Sequence, residues 1–296
     1  MRNSGAGWLT TALLPRDMVI AAALELSVVL SGRRWRADPA RAEDLSIPLR
    51  FDGPQPAFFG VAAAHAQTVE AGTFIGDVRR GGSVNCARYS LAPHCNGTHT
   101  ECVGHITNEH LAVRDIANDH MIPAVLLSVF SEAAASTPER STPAPQALDR
   151  LITRRALENA SSSHAPVAGG ALIVRTMPNE SDKLMRNYDA GDLPPYFSAE
   201  AMAWIVEHDI RHLVVDLPSI DRAIDEGHLT AHRLFWGVAP GVTTALHATR
   251  ATSTITELAY VDAHIVDGTY LLNLQVAPFD TDAAPSRPIL YPLVPA

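Results

Sequence analysis

One short string constrains the fold of this chain more than any other feature of its sequence. Residues 94–105 read HCNGTHTECVGH and supply three imidazoles, two thiols and one carboxylate. Five of the 13 His and all three Cys lie between positions 86 and 120. Side chains of these types are the usual protein ligands of zinc and related metals. Any fold must therefore bring this string to a place where its polar side chains find partners, and a metal ion is one such partner.

The spacing within the string favours a catalytic metal site. His99 and Glu101 are two residues apart, so on a strand both side chains face the same side. Gly97 allows a tight turn, which could bring either His94 or Cys95 back to the same point. Zinc and manganese both accept such nitrogen and oxygen ligands, and three ligands leave a position open for catalysis. A structural zinc site would more often show paired Cys-x-x-Cys spacing, which is absent here.

Composition excludes several classes of function. The chain has 296 residues, of which 47% are apolar, and a formal net charge of −9. This acidic balance argues against binding to nucleic acid or to anionic membrane surfaces. Three Cys cannot close a disulfide framework, so we expect a cytoplasmic protein. The apolar stretch 18–30 contains Glu25 and is too short for a membrane span, and no signal-peptide cleavage site follows it.

The order of predicted elements indicates an α/β protein. Continuous apolar runs predict buried strands. These runs are 121–130, 171–175 and 211–217. Ser198 predicts the N-cap of a helix, and the spacing of 147–158 is helical. Asp267-Gly268 is a turn signal, which predicts a hairpin between 252–266 and 269–278.

The change in texture near residue 44 predicts the domain organisation. We expect residues 1–43 to be an N-terminal extension with at most one helix and a loose lead-in through 33–36. Met18 is a second possible start of the chain. Residues 44–296 contain no stretch typical of a linker, so they are predicted to form one domain.

The string also resembles the signature of a known family. It is similar to His-x-Gly-Thr-His-x-Asp-x-Pro-x-His of the cyclase family of metal-dependent hydrolases, which includes bacterial kynurenine formamidase and isatin hydrolase. The resemblance covers about 44–296 and includes further segments at 44–49, 194–198, 216–221, 231–233 and 255–258. It implies a single α/β domain of the swivelling β/β/α type, with a mixed sheet or barrel-like core and surrounding helices.

Three departures from the signature concern the site itself. By strict count the first His of the signature falls on Cys95, whereas a one-residue insertion would place it on His94. Glu101 stands where the family has Asp, and Val103 stands where it has Pro. The sequence leaves the choice between His94 and Cys95 open.

The resemblance implies a role for each site residue. One or two divalent ions, zinc or manganese, would be bound, with Glu101 bridging. The implied metal ligands are His94 or Cys95, His99, Glu101, His232 and Glu257. His105 would be the proton shuttle and, with Glu101, the catalytic pair. Aromatic side chains that could line a substrate pocket are Phe58, Phe59, Tyr89 and Tyr196.

Four functions follow as alternatives. The first is hydrolysis of an amide bond in a small molecule, N-formylkynurenine, to kynurenine and formate. The second is hydrolysis of another cyclic amide or a lactone at the same site. The third is a non-catalytic metal-binding relative, and the fourth is thiol catalysis by Cys95 or Cys102 beside His99. The resemblance also implies a homodimer.

Overall fold

The computed structural model describes residues 26–30 and 32–296, and its secondary structure is dominated by strands. The strands are β1 (Leu26–Leu30), β2 (Arg33–Ala37), β3 (Glu43–Asp44), β4 (His65–Thr68), β5 (Glu70–Ala71), β6 (Phe74–Ile75), β7 (Ala87–Ser90), β8 (His99–Glu101), β9 (Ile122–Phe130), β10 (Glu132–Ala133), β11 (Arg150–Ile152), β12 (Ala171–Met177), β13 (Tyr196–Phe197), β14 (His212–Val215), β15 (Thr254–Glu257), β16 (Gly268–Val276) and β17 (Ala283–Pro295). The helices are α1 (Pro93–Asn96), α2 (Val113–Ile116), α3 (Arg154–Ser161), α4 (Ala199–Glu207) and α5 (Thr230–Trp236). Short 3-10 helices occupy several connections, among them Val103–Ile106.

Seven of these strands close into a barrel. The order around it is β17, β16, β9, β12, β14, β15 and β8, and β8 pairs again with β17. The pairs β9–β12, β12–β14 and β14–β15 are parallel, and the other four pairs are antiparallel. The expected single α/β domain with a barrel-like mixed sheet and surrounding helices is therefore confirmed.

Three of the parallel strands, β9, β12 and β14, are mostly apolar because both of their faces are covered. Along β9, Val125 and Leu127 pack in a cluster with residues of α3, α4 and α5, including Leu157, Met202 and Phe235. The alternate β9 residues pack in a second cluster with residues of β12, β14 and β16. Burial on both faces removes the polar alternation of a surface strand, and this explains the runs seen in the sequence.

The strand that closes the barrel, β8, positions the site. It is three residues long, and its backbone pairs on both sides. On one side Glu257 of β15 lies opposite His99, and on the other Ala283 of β17 lies opposite Glu101. Segments about 160 and 180 residues away in the chain are thereby brought to the His-rich string.

The predicted hairpin at Asp267-Gly268 is wrong. β16 pairs with β17 and β9, whereas β15 pairs with β14 and β8. The Asp267 carboxylate accepts hydrogen bonds from the Ser128 backbone and hydroxyl and from the Arg175 guanidinium. This residue therefore ties three strand ends together instead of making a two-residue turn.

Two other expectations require correction. The helix expected over 147–158 begins only at Arg154, with Thr153 as its N-cap, because Arg150–Ile152 pairs in a small sheet with β10 and β13. The loose lead-in expected at 33–36 is strand β2, which pairs with β1 and with the end of β17.

The helix expected at Ser198 is confirmed, since its hydroxyl accepts from the Ala201 backbone. Residues 1–25, including Met18, lie outside the described residues, and within the described ones no helix is long and apolar enough to span a membrane.

A buried ion pair beside the ends of β12 and β14 gives the first prediction. The Lys183 ammonium lies 2.7 Å from Asp216 Oδ2, and both side chains are almost fully buried. We expect Lys183→Met to lower the free energy of unfolding by about 3–5 kcal/mol, because it leaves a buried carboxylate without its counter-ion. Urea denaturation would measure this loss.

The matched control is Arg287→Met. Arg287 also lies 2.8 Å from a carboxylate, that of Asp44, but this pair is exposed. Its removal should cost about 0–1 kcal/mol. Equal losses in the two variants would contradict the argument from burial.

Candidate metal centre

Two short elements present the His-rich string. His94 lies in α1, which begins at Pro93, and His99 and Glu101 lie on β8. Gly97 joins the two elements where the chain passes close to Leu49. A Cβ atom at position 97 would lie 2.9 Å from Leu49 Cδ2, so a larger residue there would force the Leu49 side chain to move.

The Glu101 carboxylate is the centre of the cluster and is completely buried. Its Oε1 lies 2.9 Å from His232 Nε2. Its Oε2 lies 3.1 Å from His94 Nδ1 and 3.8 Å from His105 Nε2. Burial alone would raise the pKa of Glu101, but the imidazoles of His105 and His232 outweigh it and hold the pKa well below its usual value.

Two buried acceptor atoms of this cluster have no hydrogen-bond partner among the described residues. His99 Nδ1 lies 3.0 Å from the Gly97 carbonyl, which can only accept, so Nδ1 carries the proton and Nε2 carries a lone pair. His99 Nε2 and Glu101 Oε2 both lack a hydrogen-bond partner among the described residues. Unpaired buried acceptors are costly, and a cation bound between them would satisfy both. The donor set therefore fits a divalent metal.

A second layer of contacts orients the cluster. His232 Nδ1 lies 2.6 Å from Asp221 Oδ2, which leaves Nε2 directed at Glu101. Glu257 Oε1 accepts from the Ile220 backbone, while its Oε2 lies 3.5 Å from His99 Nε2. A carboxylate that accepts from a ring nitrogen, as Asp221 does from His232, fixes the tautomer and the ring orientation of a metal ligand.

Three groups of side chains bring ligand atoms within 4.8 Å of one another. They are His94, His99 and Glu101; His94, His105 and Asp282; and Glu101, His105 and His232. Of the predicted ligands, Cys95 and Glu257 belong to none of these groups, although both are buried. The geometry thus brings His94 to the cluster where a strict count of the signature would place Cys95.

Asp282 is a site residue that sequence reasoning missed. Its Oδ2 lies 3.0 Å from His94 Nε2 and 3.3 Å from His105 Nδ1. It precedes β17, and only the pairing of β17 with β8 brings it to the string. No motif in the sequence signals this contact.

The four aromatic residues suggested for a pocket lie in different environments. Phe58 is buried and packs against the more exposed Phe59, with ring centroids 3.8 Å apart and planes 41° apart. Tyr89 is exposed and packs on Phe51. The Tyr196 hydroxyl is buried and donates to Asp149, so its side chain belongs to an internal polar network.

The chain is similar to a known protein family. Residues 43–222 match the family model Cyclase, described as "Putative cyclase". The chain belongs to this family. Kynurenine formamidase of Bacillus mycoides (strain KBAB4) is 27% identical over 214 residues, which cover 72% of this chain and 82% of that protein.

Solved structures share the fold. Isatin hydrolase A from Labrenzia aggregata superposes with a TM-score of 0.57 at 18% identity, covering 86% of this chain and 94% of that one. A protein from Bacillus stearothermophilus described as a "predicted metal-dependent hydrolase" gives 0.54 at 16% identity, covering 85% and 98%. The cyclase family resemblance of the sequence is therefore confirmed.

Metal binding can be assigned to one of two neighbouring residues by substitution. We expect His94→Ala to weaken zinc binding by more than about 100-fold, since loss of an outer partner alone typically costs about 10–100-fold. Cys95→Ser should bind zinc as the wild type does. Isothermal titration of the metal-free proteins would measure both, and the reverse order of effects would assign the site to Cys95.

The stability of the metal-free protein should depend on pH through these imidazoles. Burial disfavours the charged form of His94, but the nearby carboxylates of Asp282 and Glu101 outweigh it and raise its pKa to about 10. Its contribution to stability is then fully present below its unfolded pKa of about 6.5 and is lost as pH rises to about 10. We expect urea midpoints, measured with a chelator present, to fall over this range. His94→Gln should flatten the fall, and an equally steep fall in that variant would contradict the assignment.

Proposed function

We propose that this protein is a metal-dependent hydrolase of an amide bond, with N-formylkynurenine as its substrate and kynurenine and formate as its products. The observation that carries the proposal is the pair of buried, unpaired acceptors, His99 Nε2 and Glu101 Oε2. Membership of the cyclase family and the kynurenine formamidase relatives support it.

A divalent ion, zinc or manganese, would be held by His94, His99 and Glu101, with His232 and Glu257 available for a second ion. When bound, such an ion supplies Lewis-acid activation of water and of the substrate carbonyl. Zinc suits the nitrogen and oxygen donors present. Both carboxylate oxygens of Glu101 face imidazoles of the cluster, so Glu101 is the residue that would bridge two ions.

His105 is the residue placed to move protons. Its ring is partly exposed, whereas Glu101, His99 and His232 are buried. Its Nδ1 faces Asp282 and its Nε2 faces the cluster at Glu101 Oε2. An imidazole in this position can accept a proton inside the site and deliver it to the leaving amine, which is the general acid–base role of His.

A second candidate substrate class is a cyclic amide or lactone. Isatin hydrolase A, which shares this fold, supports it. The same residues would act on either class, since both reactions add water to an acyl carbon. A substrate panel separates them.

Thiol catalysis is opposed by the surroundings of both buried Cys. Burial raises the pKa of the Cys95 thiol to about 11, and Glu257 adds to the effect. Burial likewise raises the pKa of the Cys102 thiol to about 12. A nucleophilic Cys needs a thiolate, and these thiols remain protonated at neutral pH.

The test is a hydrolysis assay of the zinc- or manganese-loaded protein with N-formylkynurenine, isatin and a simple lactone. We expect turnover of N-formylkynurenine that is abolished by chelator and by His99→Ala, but is retained in Cys95→Ser and after thiol-blocking reagent. Faster turnover of isatin or the lactone would select the second substrate class. Stoichiometric metal without hydrolysis of any of the three would identify a non-catalytic relative and overturn the proposal.

A further inference from the structure

Asp282 lies at the edge of the cluster in a position that the backbone holds firmly. It directly precedes β17, whose first residue, Ala283, pairs opposite Glu101. Its carbonyl accepts a hydrogen bond from the Cys102 backbone at 3.0 Å. The pairing of β17 with β8 therefore places the Asp282 side chain beside the string.

One carboxylate oxygen of Asp282 contacts two imidazoles. Oδ2 lies 3.0 Å from His94 Nε2 and 3.3 Å from His105 Nδ1. The two rings stack, with centroids 4.1 Å apart and planes 29° apart. Asp282 and the pair of rings are consequently a single unit, in which a carboxylate accepts from both.

This contact decides where the free nitrogen of each neutral ring points. Asp282 and Glu101 both only accept, so the neutral rings keep their protons on the nitrogens facing Asp282 when a cation bound beside Glu101 Oε2 replaces protons on the other side. The lone pairs then lie on His94 Nδ1 and His105 Nε2. Both of these atoms face Glu101 Oε2, at 3.1 and 3.8 Å.

We propose that Asp282 is a positioning residue that fixes the tautomers of His94 and His105 together, turning one lone pair toward the metal and the other toward the reacting proton. The proposal rests on the proposed function for the role of His105, whereas the part concerning His94 requires only that the protein binds a metal. We expect Asp282 to contact neither metal nor substrate and to act through the two rings.

The exposure of Asp282 makes it suitable for substitution. Its side chain is 38% exposed, whereas that of Glu101 is fully buried. Removing the carboxylate therefore leaves space that water can enter instead of a buried charge without a partner. Asp280, two residues earlier, offers a matched control, because its carboxylate pairs with His110 and Arg114 outside the cluster.

The test compares Asp282→Ala, Asp282→Asn and Asp280→Ala with the wild type, after circular dichroism and thermal melts have established that each is folded. Zinc is titrated calorimetrically into the metal-free proteins. We expect Asp282→Ala to bind zinc about 10–100-fold more weakly. Asp282→Asn should recover part of this loss, because its amide oxygen can still accept from a ring. Asp280→Ala should match the wild type.

Kinetics at saturating zinc give the second measurement. We expect Asp282→Ala to lower kcat on N-formylkynurenine by about 100-fold or more, with KM little changed, because the residue orients the proton shuttle and does not bind substrate. If the folded Asp282→Ala or Asp282→Asn proteins match Asp280→Ala in both zinc affinity and kcat, the inference is overturned.

Failure of the proposed function would be distinguishable from failure of this inference. A wild-type protein that binds zinc but hydrolyses none of the amides would refute the hydrolase. The calorimetric comparison would still decide the role of Asp282 toward His94: a tenfold or greater loss would support it, and unchanged affinity would refute it.

Discussion

The burial of the Glu101 carboxylate is the constraint on which the rest of the site depends. An ionised carboxylate removed from water is stable only when positive charge or hydrogen bonds compensate it. Here the groups around it are imidazoles, from His94, His105 and His232, and not the permanent charge of Lys or Arg. Imidazoles can meet this need either as protonated cations or as neutral ligands of a shared metal. The cluster can thus exchange protons for a metal ion while Glu101 remains ionised.

The closure of the barrel places this carboxylate. β8 is short, but it pairs with β15 on one edge and β17 on the other, so its three residues are fixed from both sides. The same two pairings bring Glu257 opposite His99 and Asp282 next to the residue opposite Glu101. The register of the sheet therefore brings together groups that are far apart in the chain. Strand-borne ligands are also held more rigidly than ligands on loops, as a catalytic site requires.

How far the sequence could predict this architecture depended on the range of the interactions. The apolar runs of β9, β12 and β14 and the capped start of α4 reflect local pattern and burial, and these were predicted. The hairpin predicted at Asp267 is wrong because the Asp267 carboxylate accepts hydrogen bonds from Ser128 and Arg175, which are distant in sequence. Asp282 could not be found for the same reason: its partners are set by the register of β17 on β8. The sequence left the choice between His94 and Cys95 open, because which side chain faces the cluster depends on how α1 turns into β8.

The most direct test of the metal centre is zinc K-edge X-ray absorption of the zinc-loaded protein. We predict that the atoms bound to zinc are nitrogen and oxygen alone, at about 2.0–2.2 Å, as expected for imidazole and carboxylate ligands. Loss of one nitrogen scatterer should follow His94→Ala. A sulfur scatterer at about 2.3 Å would instead place Cys95 or Cys102 on the metal and would contradict the account.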